Sequence, residues 1–276
     1  MLTRRQISSA ISGAGVHPGD HVLVHSSLRK LGPVDGGADA VIDALLDAVG
    51  AEGTVAMPTF CYVPPHPHFD PRETPGRTGA LTEVFRRRPG TRRSVHPTHA
   101  IAAAGPRADE FLADHHRTSA CGLGSPLDRL TRAGAWVVLI GVSHTSNTAV
   151  HLGEVRAGVR KFGLWGDCPP PVCPVRMPDG TLTDCRLDTS ASCSLAFNAV
   201  DHPLRSHGWI RDRALGAVGA FCHIAVMRAQ AVVDATSELV AQTPDILFCT
   251  RPDCARCQAG RAYARSGEQR RGARAD

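Results

Sequence analysis

The sequence predicts an α/β protein with a single domain, in which helices flank a central, mostly parallel sheet and the C-terminal half is elaborated. A chain of 276 residues that is 42% hydrophobic and 21% charged has an ordinary globular composition and can bury a sizeable core. Strand, helix and strand patterns alternate over residues 21–60, which is typical of a βαβ unit. The apolar run at 135–142 predicts another buried strand.

Each N-terminal element has its own signal in the hydrophobic pattern. Residues 21–27 (HVLVHSS) predict a buried strand that ends in two hydroxyl groups. In residues 38–49 apolar side chains recur at spacings of three and four, which predicts a helix that Gly50 terminates. Further along we expect a strand over 53–60, a loop over 61–78, a helix near 81–88, a strand over 98–105, a helix starting at Ser125-Pro126, a strand over 135–142 and a helix from about 147 to 156.

The pattern changes beyond Gly158, where short, proline-rich segments begin. In this part we expect a hairpin around Asp179-Gly180, helices near 194–205 and 217–241, and a last strand at 245–249. Residues 1–260 are predicted to form the domain, and the Arg-rich residues 261–276 a disordered tail.

Charge and composition exclude several classes of function. The formal net charge is +5, and all but Lys30 and Lys161 of the 31 basic residues are arginines spread along the chain. The 8 Phe, 3 Trp and 2 Tyr offer few platforms for single-stranded nucleic acid, so we expect no nucleic-acid partner. No apolar run reaches the roughly 18 residues of a membrane span, and the N-terminus lacks the apolar core of a signal peptide. We therefore expect a cytoplasmic protein without a membrane partner, whose mild positive field suits a phosphorylated cofactor.

A first candidate catalytic pair is His151 and Glu154, in the helix expected after the clearest core strand. Side chains three residues apart on a helix share a face. The carboxylate can accept a hydrogen bond from one imidazole nitrogen and make the other nitrogen a better base for an amine proton. The alternative is an ordinary His–Glu pair on the surface of a helix.

Two further segments carry groups that suit a phosphorylated cofactor. Residues 92–99 (RRSVHPTH) combine guanidinium donors, a hydroxyl and two imidazoles, although an Arg-rich loop with ordinary histidines has the same pattern. Ser26 and Ser27 end a strand before a Gly36-Gly37 turn, where a ligand can approach the backbone. This second pattern lacks the spacing of a phosphate-binding loop and alone predicts only a turn.

Seven of the ten cysteines cluster in the C-terminal part of the chain, while Cys61, Cys121 and Cys222 look isolated. Cys249-x4-Cys254-x2-Cys257 places three thiols within nine residues, and Cys-x2-Cys is the spacing of a zinc knuckle. Candidates for the fourth ligand of a structural zinc ion are Cys193 or Cys185 and, with less support, Cys222 or His223. A set of unliganded thiols is the alternative.

Taken in order, these segments resemble the aminoglycoside 3-N-acetyltransferase family, which has the antibiotic N-acetyltransferase fold. The resemblance extends over roughly residues 5–258. It rests on HSSLRKLGPVDGGADAVIDALLDAVGAEGTVAMPTF at 25–60, Phe69-Asp70 with Pro75 and Gly79-x3-Glu83, FRRRPGTRRSVHPTHAIAAAG at 85–105, GLGSPLDRL at 122–130 and VVLIGVSHTSNTAVHLGE at 137–154.

The resemblance implies an enzyme that moves an acetyl group from acetyl-CoA to a small-molecule amine, typically the 3-amine of a 2-deoxystreptamine ring. It implies direct attack of the amine, with His151 as general base and Glu154 either assisting that histidine or binding the cationic antibiotic. Residues that look like the coenzyme A groove are Ser26, Ser27, Leu28, Gly36, Arg93, Ser94 and His96. Residues expected on the substrate side or in its frame are Asp70, Glu83 and His99. The sequence leaves open whether the chain forms a homodimer.

One branch of the family also ends in a Cys-x2-Cys pair, which makes Cys193 the first choice to complete a zinc site with Cys249, Cys254 and Cys257. Family members often carry a Glu after the cysteine that corresponds to Cys193, and this Glu looks like a partner of the catalytic His. In this chain Ser194 follows Cys193. An alternative is therefore an N-acyltransferase for a different amine in natural-product biosynthesis. The alternative from another class of function is a zinc-knuckle module that binds nucleic acid.

Overall fold

A computed structural model describes residues 1–62, 67–159, 171–188, 193–215 and 222–265. The strands in these ranges are β1 (His21–Ser26), β2 (Thr54–Pro58), β3 (Arg92–Arg93), β4 (Ile101–Ala104), β5 (Trp136–Ile140), β6 (Val172–Arg176), β7 (Leu182–Arg186), β8 (Arg211–Leu215) and β9 (Cys222–Arg228). The α-helices are α1 (Arg4–Gly13), α2 (Leu28–Leu31), α3 (Gly37–Val49), α4 (Ala80–Arg87), α5 (Ala108–Leu112), α6 (Pro126–Arg132), α7 (Ala149–Arg156), α8 (Asp201–Ser206), α9 (Ala229–Gln242) and α10 (Ala255–Arg265). Short 3-10 helices cover His115–Arg117, His144–Ser146 and Phe197–Val200.

Seven strands form one sheet in the order β3-β4-β2-β1-β5-β9-β8, and β6 pairs with β7 in a separate hairpin. At the centre, β1 pairs in parallel with both β2 and β5. The strands outside these three pair antiparallel, because the chain leaves β2 and β5 and returns to the same edge of the sheet. The predicted α/β class and parallel centre are confirmed, and the two long excursions lie over the carboxyl edge of the central strands.

Both faces of the sheet are covered, which explains the continuous apolar run of β1. Val22 and Val24 face a core that includes residues of α1 and α3. Leu23 faces a second core, which includes residues of α6, α7 and α9. The central strands are therefore fixed from both sides.

Glycines set both ends of α3 in the predicted βαβ unit. Gly36 precedes the helix with φ 78° and Gly50 follows it with φ 65°, both in the left-handed region that favours glycine. Ser125 starts α6 by accepting a hydrogen bond from the Asp128 N–H. The predicted strand, helix and strand over 21–60 and the start of α6 are thus confirmed.

Two C-terminal predictions are wrong. The helix expected near 217–241 begins only with α9, since β9 occupies the residues before it, and 217–221 lie outside the described residues. No Gly or Pro separates strand from helix there, so apolar spacing alone does not divide them. Residues 245–249 form a turn rather than a strand, with the Phe248 N–H bonded to the Asp245 carbonyl.

The remaining C-terminal elements follow the predictions more closely. The hairpin around Asp179-Gly180 is confirmed as β6–β7, which a bridge between Phe69 and Val175 attaches to the main body. Helix α10 continues to Arg265, inside the predicted tail, and 266–276 lie outside the described residues. Within the described ranges, none of the helices combines the length and the apolar character that crossing a bilayer requires.

Candidate active site

A cavity of about 420 Å³ opens at the carboxyl ends of the central strands, where ligands gather in α/β sheets. Ser26 and Pro58, the last residues of β1 and β2, lie on it. The excursions that follow β2 and β5 supply its walls. The other lining residues are Val24, His25, Phe60, Tyr62, Thr78, Thr82, His99, Thr145, Ser146, Asn147, Thr148, His151, Ser194, Phe197 and Arg256.

Helix α7 carries the predicted catalytic pair to this cavity. The Nδ1 atom of His151 lies 2.9 Å from Oε2 of Glu154. The two side chains are only 7% and 2% exposed, so they are not the surface pair of the alternative interpretation. The Phe197 ring packs edge-on against the imidazole, with centroids 4.7 Å apart. With Nδ1 bonded to the carboxylate, Nε2 is the nitrogen that can accept a proton.

The position of α7 depends on a close approach to α9. A Cβ atom at Gly153 would lie 2.5 Å from Cβ of Thr236, so only glycine fits without a shift. At the start of the helix, Oδ1 of Asn147 accepts the Ala149 N–H, and Nδ2 of Asn147 lies 3.1 Å from Nδ1 of His144. His151 is therefore held by packing and by a fixed helix start.

Two other histidines of the cavity are neutral near pH 7. Burial lowers the pKa of His25 and that of His99 to about 3. Nε2 of His25 lies 3.4 Å from Oγ1 of Thr148, and Nδ1 of His99 lies 2.8 Å from Oγ1 of Thr98. His99 was predicted to contact the substrate. His25 was not predicted, although its place near the end of a buried strand is a usable signal.

The residues matched to the coenzyme A groove do not lie together. Ser26 lines the cavity, and Ser27 and Leu28 follow it directly at the start of α2. Gly36 precedes α3 and is not among the lining residues. Of this group, Ser26 is among the described residues that line the main cavity, and the role of these residues in binding coenzyme A stays a prediction.

Arg93 and Ser94 line a second cavity, of about 590 Å³, and are bonded to the protein itself. Arg93 donates to the carbonyl and the hydroxyl of Thr59, at 2.7 and 2.9 Å, and burial lowers its pKa to about 10. Ser94 lies 2.8 Å from Nδ1 of His115, and Nδ1 of His96 accepts a backbone N–H. These contacts assign Arg93 to holding the loop after β2, because its donors are used there. Binding of coenzyme A by these three residues stays a prediction.

Asp70 and Glu83 belong to the frame of the cavity and not to its lining. Asp70 pairs with Arg176 at 3.0 Å. Both carboxylate oxygens of Glu83 accept from Arg86 at 2.6 Å, and one also accepts the Gly76 N–H. Burial alone would raise the pKa of Glu83, but these hydrogen bonds lower it. The two carboxylates therefore organise the loop before α4.

The four cysteines predicted as zinc ligands come together. They are Cys193, Cys249, Cys254 and Cys257, which we call the cysteine cluster. Their Sγ atoms all lie within 4.8 Å of one another. The other candidates for the fourth ligand lie elsewhere: Cys185 in β7, and Cys222 and His223 in β9. The predicted grouping is thus confirmed as geometry, and it places Ser194 and Arg256 next to cluster members.

A buried His–Glu pair at the carboxyl edge of an α/β sheet is an arrangement that has the groups needed for general base chemistry. A profile of the family described as "Aminoglycoside 3-N-acetyltransferase" matches residues 23–241, and the chain belongs to this family. Aminoglycoside N(3)-acetyltransferase IV from a Salmonella species is 32% identical over 222 residues, which cover 80% of this chain and 79% of that protein. Aminoglycoside N(3)-acetyltransferase III from Acinetobacter baumannii is 36% identical over 178 residues, 58% of this chain and 62% of the relative's length.

Solved structures match the fold over most of the chain. A histidine-to-alanine variant of aminoglycoside acetyltransferase AAC(3)-IVa in complex with a gentamicin has a TM-score of 0.79 at 29% identity, covering 95% of this chain and 97% of that chain. The same kind of variant in complex with apramycin has a TM-score of 0.76 at 28% identity, covering 93% of this chain and 98% of that chain. AAC-IIIb, in a binary complex with CoASH, has a TM-score of 0.72 at 26% identity, covering 87% of this chain and 97% of that chain.

Proposed function

We propose that this protein is an acetyl-CoA-dependent N-acetyltransferase that acetylates an amino group of an aminoglycoside, the 3-amine of the 2-deoxystreptamine ring. The observation that carries the proposal is the buried His151–Glu154 pair on the wall of the main cavity. The relatives and solved neighbours named above support the same chemistry, since they include complexes with gentamicin, apramycin and CoASH.

The pair suits direct transfer between the two substrates. Nε2 of His151 takes a proton from the ammonium or the attacking amine, while Glu154 stabilises the imidazolium through Nδ1. The amine nitrogen bonds to the thioester carbon, and the carbon–sulfur bond then breaks. The proton held by His151 passes to the leaving coenzyme A thiolate, so no acyl-enzyme forms. Thr148, on the same wall, offers a hydroxyl near the carbonyl oxygen as its charge develops.

The test is release of coenzyme A thiol from acetyl-CoA with kanamycin-, gentamicin- and apramycin-type aminoglycosides and with simple amines. Wild-type protein should turn over a 2-deoxystreptamine compound, and His151→Ala should lose about 10²- to 10⁴-fold in kcat. His207→Ala is the matched control, because His207 makes a 2.9 Å contact with Glu238 but is 43% exposed and does not line the cavity. Equal rates for the two variants would refute the role of His151.

We propose in addition that the cysteine cluster holds a structural zinc ion. Four thiolates in one group suit tetrahedral Zn²⁺, and four sulfur ligands leave no open position for catalysis. Burial raises the pKa of the Cys193 thiol, whereas hydrogen bonds from the backbone of Cys257 and from the other cysteines outweigh burial and lower the pKa of the Cys254 thiol. The apolar core around the cluster is small. Besides cysteines, its fully buried side chains are those of Phe248 and Ala264. Coordination would replace the packing that this segment lacks.

A further inference from the structure

His25 and Thr148 both line the main cavity and contact each other there. Nε2 of His25 lies 3.4 Å from Oγ1 of Thr148. This distance is long for a hydrogen bond, but such contacts in active sites often tighten only when the substrates bind. His25 lies near the end of β1, and Thr148 directly precedes α7. The contact therefore joins the central strand of the sheet to the helix that carries His151.

The His25 imidazole is neutral near pH 7 and carries one proton. Burial, with a smaller effect of the nearby His144, lowers the pKa of His25 to about 3. With the proton on Nε2, Oγ1 of Thr148 accepts it, and the hydroxyl proton of Thr148 is available to a ligand in the cavity. With the proton on Nδ1, the hydroxyl would instead donate to the ring. Only the first arrangement suits the carbonyl oxygen of a thioester, because that oxygen accepts hydrogen bonds and donates none.

The place of Thr148 suits an oxygen that gains negative charge beside the general base. The backbone of Thr148 is helical, with φ −69° and ψ −16°, so Thr148 and His151 lie one turn apart on the same face. Side chains at this spacing have Cβ atoms about 5–6 Å apart. A tetrahedral carbon between them can present its oxygen to Thr148 and its nitrogen to His151. The N-terminal end of α7 adds partial positive charge at the same point.

We propose that His25 is a positioning residue that directs the Thr148 hydroxyl at the carbonyl oxygen of the acetyl group. Nε2–H of His25 donates to Oγ1 of Thr148, and the Thr148 O–H donates to that oxygen. When the amine nitrogen bonds to the thioester carbon, the oxygen gains negative charge and the hydrogen bond strengthens. When the carbon–sulfur bond breaks, the carbonyl forms again and the electron pair leaves with sulfur. This inference rests on the proposed acetyl transfer and adds one residue to its machinery.

The test compares two replacements of His25 that differ in where they place an amide N–H. The amide nitrogen of Gln in His25→Gln reaches the position of Nε2, whereas that of Asn in His25→Asn reaches only the position of Nδ1. Thr148→Val removes the hydroxyl. His21→Asn is the control, because His21 is a buried histidine of the same strand that is not among the described lining residues. Thermal unfolding identifies any variant that fails to fold.

Two measurements are made on each protein. The first is the infrared stretch of acetyl-CoA labelled with ¹³C at the carbonyl carbon and bound without an amine, since a hydrogen bond to the oxygen lowers this frequency. The second is release of coenzyme A thiol with a 2-deoxystreptamine acceptor, which gives kcat and the KM for acetyl-CoA. The infrared measurement depends on neither the acceptor nor the reaction.

Bound acetyl-CoA should show a lowered carbonyl frequency in wild type, in His25→Gln and in His21→Asn, and the frequency of free acetyl-CoA in Thr148→Val and His25→Asn. Thr148→Val should lower kcat by about 10²- to 10³-fold, the usual effect of removing one oxyanion donor. His25→Asn should lower kcat by about 10-fold, with little change in the KM for acetyl-CoA. Adding His25→Asn to Thr148→Val should cost nothing further, because His25 acts through the hydroxyl.

The proposal is overturned if His25→Gln and His25→Asn lower kcat equally, if His25→Asn costs the same factor in the Thr148→Val protein as in wild type, or if the carbonyl frequency does not change on binding to wild type. In each of these cases turnover by wild type leaves the proposed acetyl transfer intact.

Failure of the acetyl transfer gives a different result, in which wild type releases no coenzyme A thiol with any amine. The infrared measurement then decides the inference. A lowered frequency that His25→Gln keeps and His25→Asn loses supports the positioning role without the reaction. An unshifted frequency, or no binding of acetyl-CoA to wild type, overturns it.

Discussion

The main cavity has two walls that are built in different ways. The first, which we call the strand-end wall, carries His25 and His151 on β1 and α7 and is backed by the large core between the sheet and α6, α7 and α9. The second, the cysteine wall, carries Ser194 and Arg256 and is backed by the cysteine cluster and the small core around Phe248. The proposed chemistry lies on the first wall, and the proposed zinc ion would stabilise the second.

The comparison shows two ways in which one fold fixes the walls of a cavity. Close packing fixes the strand-end wall, where Gly153 meets Thr236, so changes there disturb the base. The cysteine wall depends on four thiols and few apolar contacts. Substitutions on the cysteine wall should therefore disturb the packing of the sheet less than substitutions on the strand-end wall.

The largest expected effect is on the strand-end wall. Glu154→Gln keeps the size of the side chain but removes the charge that stabilises imidazolium at His151, so kcat should fall by about 10²- to 10⁴-fold with little change in KM for acetyl-CoA. Steady-state kinetics with acetyl-CoA measure both. Glu238→Gln alters the exposed His207 contact of the same length and should leave kcat unchanged. A Glu154→Gln protein with wild-type kcat would show that the carboxylate is not needed.

The next effect concerns the cysteine wall. Protein purified without added zinc should contain about one Zn²⁺ per chain. Cys254→Ser should lower this content and cost several kcal/mol in the free energy of unfolding, because a structural metal contributes folding energy directly. Cys222→Ser, a buried thiol outside the cluster, should keep the zinc content. Elemental analysis that finds far less than one Zn²⁺ per wild-type chain would contradict the zinc proposal.

Acid should destabilise the fold through its buried histidines. Burial lowers the pKa values of His25, His99 and His115 to about 3, whereas the unfolded chain binds these protons near pH 6.5. Their contribution to stability is full above pH 6.5 and is lost as the pH falls from 6.5 towards 3. Within that window each histidine lowers the free energy of unfolding by roughly 1.4 kcal/mol for every pH unit of acidification.

Urea denaturation at several pH values measures this slope. His115→Asn removes one of the three groups without touching the lining of the main cavity, and the slope should decrease by roughly 1.4 kcal/mol per pH unit. An unchanged slope would mean that His115 takes up its proton in the folded state as readily as in the unfolded state.

The smallest expected effect comes from adding a methyl group at the tightly packed glycine behind each wall. Gly153→Ala forces a methyl group against Thr236 and should reduce the free energy of unfolding by about 1–3 kcal/mol, together with kcat. Gly260→Ala pushes α10 away from Phe248 and should increase the reactivity of the cluster thiols more than it reduces global stability. Denaturation and thiol labelling of both variants compare them. Equal effects on both measurements would mean that the two walls unfold as one unit.

The elements that sequence reasoning predicts well are those with a single strong signal. The apolar run of β1, the spacing in α3 with Gly50 after it, and the Ser125-Pro126 start of α6 each depend on local chemistry and are confirmed. Strand β9 and the direction of the outer strands are not predictable in this way. Both depend on where a long excursion returns to the sheet, which no local pattern encodes.

The same division applies to the site. His151 and Glu154 are paired by helical spacing, and three of the four clustered cysteines by their Cys-x4-Cys-x2-Cys spacing, so the sequence predicts them. Arg93 looks available for a ligand in the sequence. In the structure its Nε and Nη2 atoms donate hydrogen bonds to Thr59. Arg256 occupies a variable position of the Cys-x2-Cys spacing and carries no signal of its own, because only the tertiary fold brings the first turn of α10 to the cavity.

The central claim is direct acetylation of an amine with His151 of the strand-end wall as general base. Product analysis tests this claim most directly. The protein is incubated with acetyl-CoA and gentamicin, and mass spectrometry and NMR locate the acetyl group. The account predicts an N-acetylated acceptor, an equal amount of free coenzyme A and no acetylated protein, with an initial rate of product formation that is about 10²- to 10⁴-fold lower in His151→Ala. Acetyl groups found on the protein or on a hydroxyl, or an undiminished yield from His151→Ala, would contradict it.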